Sequence, residues 1–144
     1  EIFDLVISSN EIIYALSQPA NEANCLYFAE GSGPLTIWDT RIGKRSSHRV
    51  LHKSRINTID FNCQNPHIVA TSSSDGNACT WDLRYTDADK LTPLRIFTHD
   101  RALQSAYFSP GCSLATTRYG VCSILKLLLF NTENMVCRRY CLLV

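Results

Sequence analysis

His52, Ser73 and Asp75 supply an imidazole, a hydroxyl and a carboxylate within one short stretch, the three groups of an acyl-transfer triad. That chemistry also needs a nucleophile elbow and donors for an oxyanion. The chain has no G-x-S-x-G and no evident oxyanion donor, so the residues argue against a hydrolase. Cysteines are the second reactive set, at Cys25, Cys63, Cys79, Cys112, Cys122, Cys137 and Cys141. No two of them have the C-x-x-C spacing of a zinc or redox site, and Ala78-Cys79 and Val121-Cys122 lie in apolar runs. The expectation is buried, reduced thiols in an intracellular protein, with no metal, no cofactor and no small-molecule substrate. Basic residues form the third set. Arg41, Lys44, Arg45, Arg49, Lys53 and Arg55 fall between positions 40 and 59, where no acidic residue occurs. A local stripe of this kind can neutralise phosphates.

The elements that position these groups must be built from 144 residues, of which 45% are hydrophobic and 19% charged. That balance is globular, and the length is enough to bury a core. A formal charge of +1 excludes a global field drawing the chain to nucleic acid or membrane, so any such argument is local. The sequence begins at Glu1 without a methionine, a basic leader or a signal peptide. Its longest apolar stretch, residues 124–130, is broken by Lys126 and too short to span a bilayer. The expectation is a soluble, nuclear or cytoplasmic protein with no membrane partner, present here as an incomplete piece.

An internal repeat organises the chain. Thr36-Ile37-Trp38-Asp39-Thr40-Arg41 recurs as Cys79-Thr80-Trp81-Asp82-Leu83-Arg84, and Leu51-His52 as Thr98-His99. The segment 56–61 recurs as 103–108, and Val69-Ala70-Thr71-Ser72 as Leu114-Ala115-Thr116-Thr117. Four features return in order at a period in the low to middle forties, the size of a four-stranded propeller blade. Residues 56–61 alternate like a half-buried strand, 68–72 form a short apolar run, and Ser74-Asp75-Gly76-Asn77 reads as a tight turn before a strand over 77–82. An outer strand is expected over 92–98, after a polar loop at 85–90. No segment has a helical period.

The fold class is therefore all-β, a partial WD-repeat β-propeller of about two and a half four-stranded blades. Residues 1–50 read as an incomplete blade, 51–98 as a complete one and 99–117 as the start of the next. Residues 118–144 carry no repeat feature and read as a tail foreign to the fold, as a translated intron or mis-joined exon would be. The WD-repeat resemblance implies a hydrogen-bonded network in which Asp75 accepts from His52, the imidazole meets Ser73, and the Ser73 hydroxyl reaches the Trp81 indole. In the first blade Gly31-Ser32-Gly33-Pro34 replaces the aspartate turn, which predicts that this network is missing there. In the third, Gly120 stands where the turn aspartate belongs and Lys126 where the tryptophan belongs. Open blade faces predict that the isolated chain is unstable or aggregation-prone.

Further detail narrows the resemblance. The runs Leu26-Tyr27-Phe28-Ala29-Glu30-Gly31, residues 51–62, residues 70–84 and Ser105-Ala106-Tyr107-Phe108-Ser109-Pro110 resemble the WD-repeat family of the small damaged-DNA-binding subunit. Within it they are most similar to the branch of WD repeat-containing protein seventy-six. The resemblance covers residues 1–117 and implies two surfaces. Both repeats end in Trp-Asp-x-Arg, similar to the motif by which propeller receptors dock on the adaptor of cullin-four RING ubiquitin ligases. Arg41 and Arg84 would make that contact, with Asp39 and Asp82 shaping the turns; the plainer reading pairs each arginine with its own aspartate. The family also binds DNA or chromatin, and a basic residue at the Arg55 position touches the damaged strand in its DNA-binding member. Lys53 and Arg55 are thus the first candidates for DNA phosphate, followed by Arg49, Lys44 and Arg45. The family's base-wedging hairpin is not recognisable. The resulting expectation is a nuclear, DNA- or chromatin-associated receptor for a ubiquitin ligase in the DNA damage response. The alternative is a protein-interaction scaffold without nucleic acid, and an enzyme ranks third.

Overall fold

The computed structural model describes residues 11–85, 91–110, 113–118, 126–131 and 137–141. These form three antiparallel sheets of four strands each. Strands β1 (Ile13–Ser17), β2 (Cys25–Glu30), β3 (Pro34–Asp39) and β4 (Lys44–Val50) pair in sequence order. So do β5 (Ile56–Phe61), β6 (Ile68–Ser73), β7 (Asn77–Asp82) and β8 (Arg95–Thr98), followed by β9 (Ser105–Phe108), β10 (Ser113–Arg118), β11 (Lys126–Asn131) and β12 (Cys137–Cys141). The first strands β1, β5 and β9 touch in succession. That arrangement is the radial stacking of propeller blades. Among the described residues the helical content is one 3-10 turn at Leu83–Tyr85.

The middle sheet shows why strand alternation serves a blade. Successive side chains point to opposite faces. Val69, Cys79 and Trp81 face the first sheet and pack with its Tyr27, Ala29 and Leu35, together with Ile56 and Ile59 of β5. Ala70 and Ala78 occupy the intervening positions and pack against Leu103, Ala106 and Leu114 of the third repeat. Both faces of β6 and β7 are therefore buried, and these strands read as nearly continuous apolar and small-residue runs. The outer strand β4 is exposed along most of its length.

The second and third blades are also joined by polar stitches along β5. Asn57 Nδ2 donates to the Leu103 carbonyl at 2.5 Å, the Ala106 amide donates to Thr58 Oγ1 at 3.0 Å, and the Phe108 amide donates to Asp60 Oδ2 at 2.6 Å. Side chains of one innermost strand thus satisfy backbone groups of the next.

Several sequence expectations meet a different outcome. The first sheet has four strands, although residues 1–50 read as an incomplete blade. β8 begins at Arg95 rather than at 92. Pro93 has no N–H to offer, and the Leu94 amide makes the last bond to Thr80 O, at 2.7 Å. The third sheet takes β11 and β12 from residues 118–144, so a stretch without repeat signature still supplies paired backbone. Loop residues 86–90, Gly120, Cys112 and Cys122 lie outside the described residues, and Lys126 opens β11. Of the cysteines placed with their side chains, Cys79 is buried, Cys25 half-buried and Cys63 exposed, which corrects the expectation of uniformly buried thiols. Cys63 sits in the loop after β5, with its Sγ 3.8 Å from the Pro110 carbonyl.

Candidate functional site

Beneath the second blade, Asp75, His52 and Trp81 converge as expected, and the hydroxyl between them belongs to Thr71. His52 Nδ1 lies 3.1 Å from Asp75 Oδ2, and Nε2 lies 2.7 Å from Thr71 Oγ1. The Trp81 indole N–H donates to the same Thr71 oxygen at 2.8 Å. Ser73, the expected member, donates instead to the Ser54 carbonyl at 3.2 Å and accepts the Asp75 amide at 3.2 Å. Register explains the correction. Trp81 pairs with Val69, so its ring reaches diagonally to Thr71, two residues along β6. Ser73 stands two residues further on, about 7 Å beyond, at the strand end.

The bonds fix the tautomer. Thr71 Oγ1 accepts from the indole and gives its own proton to Nε2, which leaves the Nδ1 proton for Asp75. Burial lowers the His52 pKa from its ordinary value despite the Asp75 charge, so the ring is held neutral. Burial alone would raise Asp75, but the Asn77 amide, His52 and the Lys53 amide outweigh it and lower the carboxyl. The sequence carboxylate–imidazole–hydroxyl is that of a triad, yet Thr71 is 0% exposed and its oxygen is bonded on both sides. No substrate carbonyl can approach it. Burial also pushes the Cys79 thiol, opposite Thr71 in β7, up to about 12.

The first blade is built differently. Trp38 pairs with Leu26, and the diagonal position that Thr71 fills in the second blade is Phe28. Phe28 offers no acceptor, and the buried Trp38 Nε1 has no hydrogen-bond partner among the described residues. A separate cluster lies one layer out. Thr36 Oγ1 is 3.2 Å from Glu30 Oε2 and 2.8 Å from His48 Nδ1, with Glu30 and Thr36 both buried.

The basic stripe divides between the two ends of the blades. Consecutive antiparallel strands put the β3–β4 hairpin at one end and the β4–β5 loop at the other. The six steps of β4 separate them by about 20 Å. Lys44 and Arg45, paired with Asp39 and Trp38, therefore stand near Arg41, not near Lys53 and Arg55. This corrects their grouping as one phosphate-binding set. Arg49, opposite Leu35, lies nearer the loop end and donates to Ser47 Oγ at 3.2 Å.

Lys53 and Arg55 line an open depression of about 530 Å³ with Gly31, Ser32, Ser54, Ser74 and Ala102. Arg55 Nε donates to Ser74 Oγ at 2.9 Å, and the guanidinium carbon lies 5.0 Å from the centre of the Tyr14 ring. Both side chains are exposed. The backbone beneath is tightly fixed: Gly33 has φ of 100°, its carbonyl accepts the Leu51 and His52 amides, and a Cβ there would collide with the carbonyls of His52 and Ser54. Gly76 repeats the arrangement, with φ of 88° and its carbonyl accepting the His99 amide. Sequence reasoning missed Tyr14, Ser74 and Thr71. Only Thr71 carried a signal, the recurrence of Ala-Thr as Ala115-Thr116.

At the opposite end the two Trp-Asp-x-Arg segments share one geometry. Arg41 Nε and Nη2 donate to Asp39 at 3.3 and 2.9 Å, and the Arg41 amide donates to Oδ1 at 2.9 Å. Arg84 does the same to Asp82, with Nη2 to Oδ2 at 2.6 Å. Each guanidinium fork lowers the pKa of its own aspartate, and each arginine is raised in turn. The arginine side chains remain 66% and 54% exposed while Asp39 and Asp82 are largely covered. The pairing that the plainer reading anticipated is thus present, and it pre-orients an exposed cation at each hairpin. Among the described residues no cluster of His, Cys, Asp or Glu could hold a metal ion, and no helix is long and apolar enough to cross a membrane.

Stacked four-stranded sheets joined at their innermost strands, with repeated Trp-Asp ends, define a partial WD-repeat β-propeller. In structure the chain matches the WD40 repeats of RRP9 with a TM-score of 0.73 at 14% identity, covering 92% of this chain and 39% of that one. That likeness shows the fold alone. No family model matches the chain. In sequence it is 38% identical over 69 residues to DNA damage-binding protein 2 of Gallus gallus, covering 46% of this chain and 13% of that protein. It is 30% identical over 113 residues to DNA damage-binding protein CMR1 of Chaetomium globosum, covering 74% of this chain and 21% of that protein. Protein transport protein SEC31 of Mycosarcoma maydis is 37% identical over 70 residues, covering 44% of this chain and 5% of that protein. As a propeller fragment, the chain fits the WD-repeat DNA damage-binding family. It spans less than a quarter of these relatives' length.

Proposed function

We propose that this chain is the partner-binding section of a nuclear WD-repeat propeller in the DNA damage response, one end facing DNA or chromatin and the other a cullin-four ubiquitin-ligase adaptor. One observation carries the reading: the two sets of exposed cations emerge at opposite ends of the same rigid sheets. Lys53 and Arg55 stand at the loop end, above an open depression. Arg41 and Arg84, each braced by its aspartate, stand at the hairpin end. The names of the relatives, DNA damage-binding protein 2 and CMR1, support DNA as the partner at the first.

The mechanism is tethering. Lys53 and Arg55 neutralise phosphates and so hold DNA without reading its sequence. The adaptor contacts at the far end bring the ligase to whatever lies there, and the rate gain is effective concentration. The buried Thr71–His52–Asp75 set holds the blade and takes no part in chemistry.

The test is duplex DNA binding by the intact protein across a salt series, with adaptor co-purification measured in parallel. The Lys53→Glu, Arg55→Glu variant should lose salt-dependent DNA binding and keep the adaptor. The Arg41→Ala, Arg84→Ala variant should do the reverse. Absence of DNA binding by the unaltered protein at low salt would sink the DNA arm; adaptor binding indifferent to both arginines would sink the ligase arm.

A further inference from the structure

Ser32, which lines the depression together with Lys53 and Arg55, is already bonded to an anion supplied by the chain itself. Glu11, just before β1, places Oε2 3.0 Å from the Ser32 amide and 2.9 Å from Ser32 Oγ, with Oε1 3.1 Å from the same hydroxyl. Ser32 is the centre of the turn that in the second blade carries Asp75. There, Asp75 serves its own turn: Oδ1 accepts the Asn77 amide, and Oδ2 meets His52 and the Lys53 amide. The first turn, Gly31-Ser32-Gly33-Pro34, has no carboxylate. Pro34 stands where Asn77 would donate and has no N–H. The Ser32 amide and hydroxyl are left to face the mouth of the depression, and a carboxylate from outside the turn takes them.

We propose that the Ser32 amide and hydroxyl, with Lys53 and Arg55 beside them, form a phosphate seat that Glu11 occupies until a DNA phosphate displaces it. The seat has the parts such a ligand requires. A backbone N–H beside a glycine of positive φ and a hydroxyl supply directed donors, and two exposed cations on the neighbouring loop supply charge. Gly31 keeps the floor low, since a Cβ there would sit 3.3 Å from the Tyr14 ring and 3.8 Å from Glu11 Oε2. Glu11 is exposed, so water can take over its hydrogen bonds when a phosphate displaces it from Ser32. While seated it adds a negative charge next to the phosphate path. Glu11 is therefore a competitor that selects for DNA able to place a phosphate deep enough to replace it. This inference rests on the proposed DNA-facing role of the loop end.

Two measurements on the intact protein separate the seat from that role. The first titrates inorganic phosphate and follows the Ser32 amide resonance. The Glu11→Gln variant should show a saturable shift that the unaltered protein shows only at several-fold higher phosphate. Adding Ser32→Ala or Arg55→Glu should weaken it. An unmoved Ser32 amide in Glu11→Gln, with unchanged tryptophan fluorescence as proof of folding, overturns the seat whatever DNA does. The second is duplex DNA binding, where Glu11→Gln should bind about threefold more tightly near 0.1 M salt. Its salt slope should steepen by about one. A phosphate response without any DNA binding would keep the seat and remove the DNA reading. DNA binding that Lys53→Glu and Arg55→Glu abolish, but Glu11→Gln leaves unaltered, would keep the DNA reading and remove Glu11 as competitor.

Discussion

The first and second blades share a strand plan, a Trp-Asp-x-Arg end and a glycine of positive φ, and they differ in what lies under the tryptophan. In the second, Thr71 links indole to imidazole and Asp75 closes the chain, so each buried polar group on it is paired. In the first, Phe28 takes the place of Thr71 and Ser32 that of Asp75, and the Trp38 indole has no hydrogen-bond partner among the described residues. One substitution pattern thus replaces the polar link under the tryptophan with an apolar ring and frees a turn to meet groups from elsewhere. The blade with the complete network is the structural anchor. The blade without it carries the exposed turn chemistry.

The largest expected effect comes from what the two blades share. Gly33→Ala should cost more than about 4 kcal/mol by denaturant unfolding, because a Cβ at this φ strikes the backbone of the next loop. Gly43→Ala is the control: φ is 63° and nothing lies within 4 Å, so the cost should be about 1 kcal/mol. Equal effects would mean that the loop at 51–55 is free to move.

Next is the link that only the second blade has. Thr71→Val keeps the shape and removes the hydroxyl, leaving the Trp81 N–H and His52 Nε2 without partners, at about 2–4 kcal/mol. Ser73→Ala, off the chain, should cost about 1 kcal/mol. The reverse order of melting temperatures would restore the serine to the network.

Acid should act on the same blade. His52 has a folded pKa below its ordinary 6.5, so the unfolded chain binds the proton more readily. Its contribution to stability is fully present above pH 6.5 and is lost as pH falls from there toward the folded value. Asp75, also lowered, adds a loss of the same sign at lower pH. A His52→Gln variant should flatten the melting curve's dependence on pH between 7 and the folded value; an unchanged dependence would place the titration elsewhere. The smallest effect is expected from Arg41→Ala and Arg84→Ala. Each guanidinium is exposed and screened, and the covered aspartate keeps its bond to the backbone amide, so melting should barely change in either blade.

Much of this arrangement was legible in the sequence, because the repeat fixed the turns and the alternation fixed the faces. The strands expected at 56–61 and 77–82 have those bounds, and 68–72 extends by one residue. Depth was not legible. Ser73 and Thr71 lie on the same face of β6, and only the register against Trp81 decides which hydroxyl the indole reaches. Nor did adjacency in the chain measure distance in space: Lys44 and Lys53 belong to one basic run, yet an extended strand carries them to opposite ends. The Tyr14–Arg55 contact depends on how the second blade sits on the first, and the Glu11–Ser32 bonds on how the chain entering β1 lies beside the β2–β3 turn, which no local pattern encodes.

The buried thiol of Cys79 gives the molecule its own stopwatch. With a pKa of about 12, only about one part in ten thousand is thiolate near pH 8, and the sheet shields what there is. Alkylation must wait until the second sheet parts from the first, since Cys79 lies in the cluster packed between them. Exposed Cys63 reacts without waiting and marks time zero. The lag between the two labels then measures how often the anchoring blade breathes, and how DNA at one end or a partner at the other lengthens the interval.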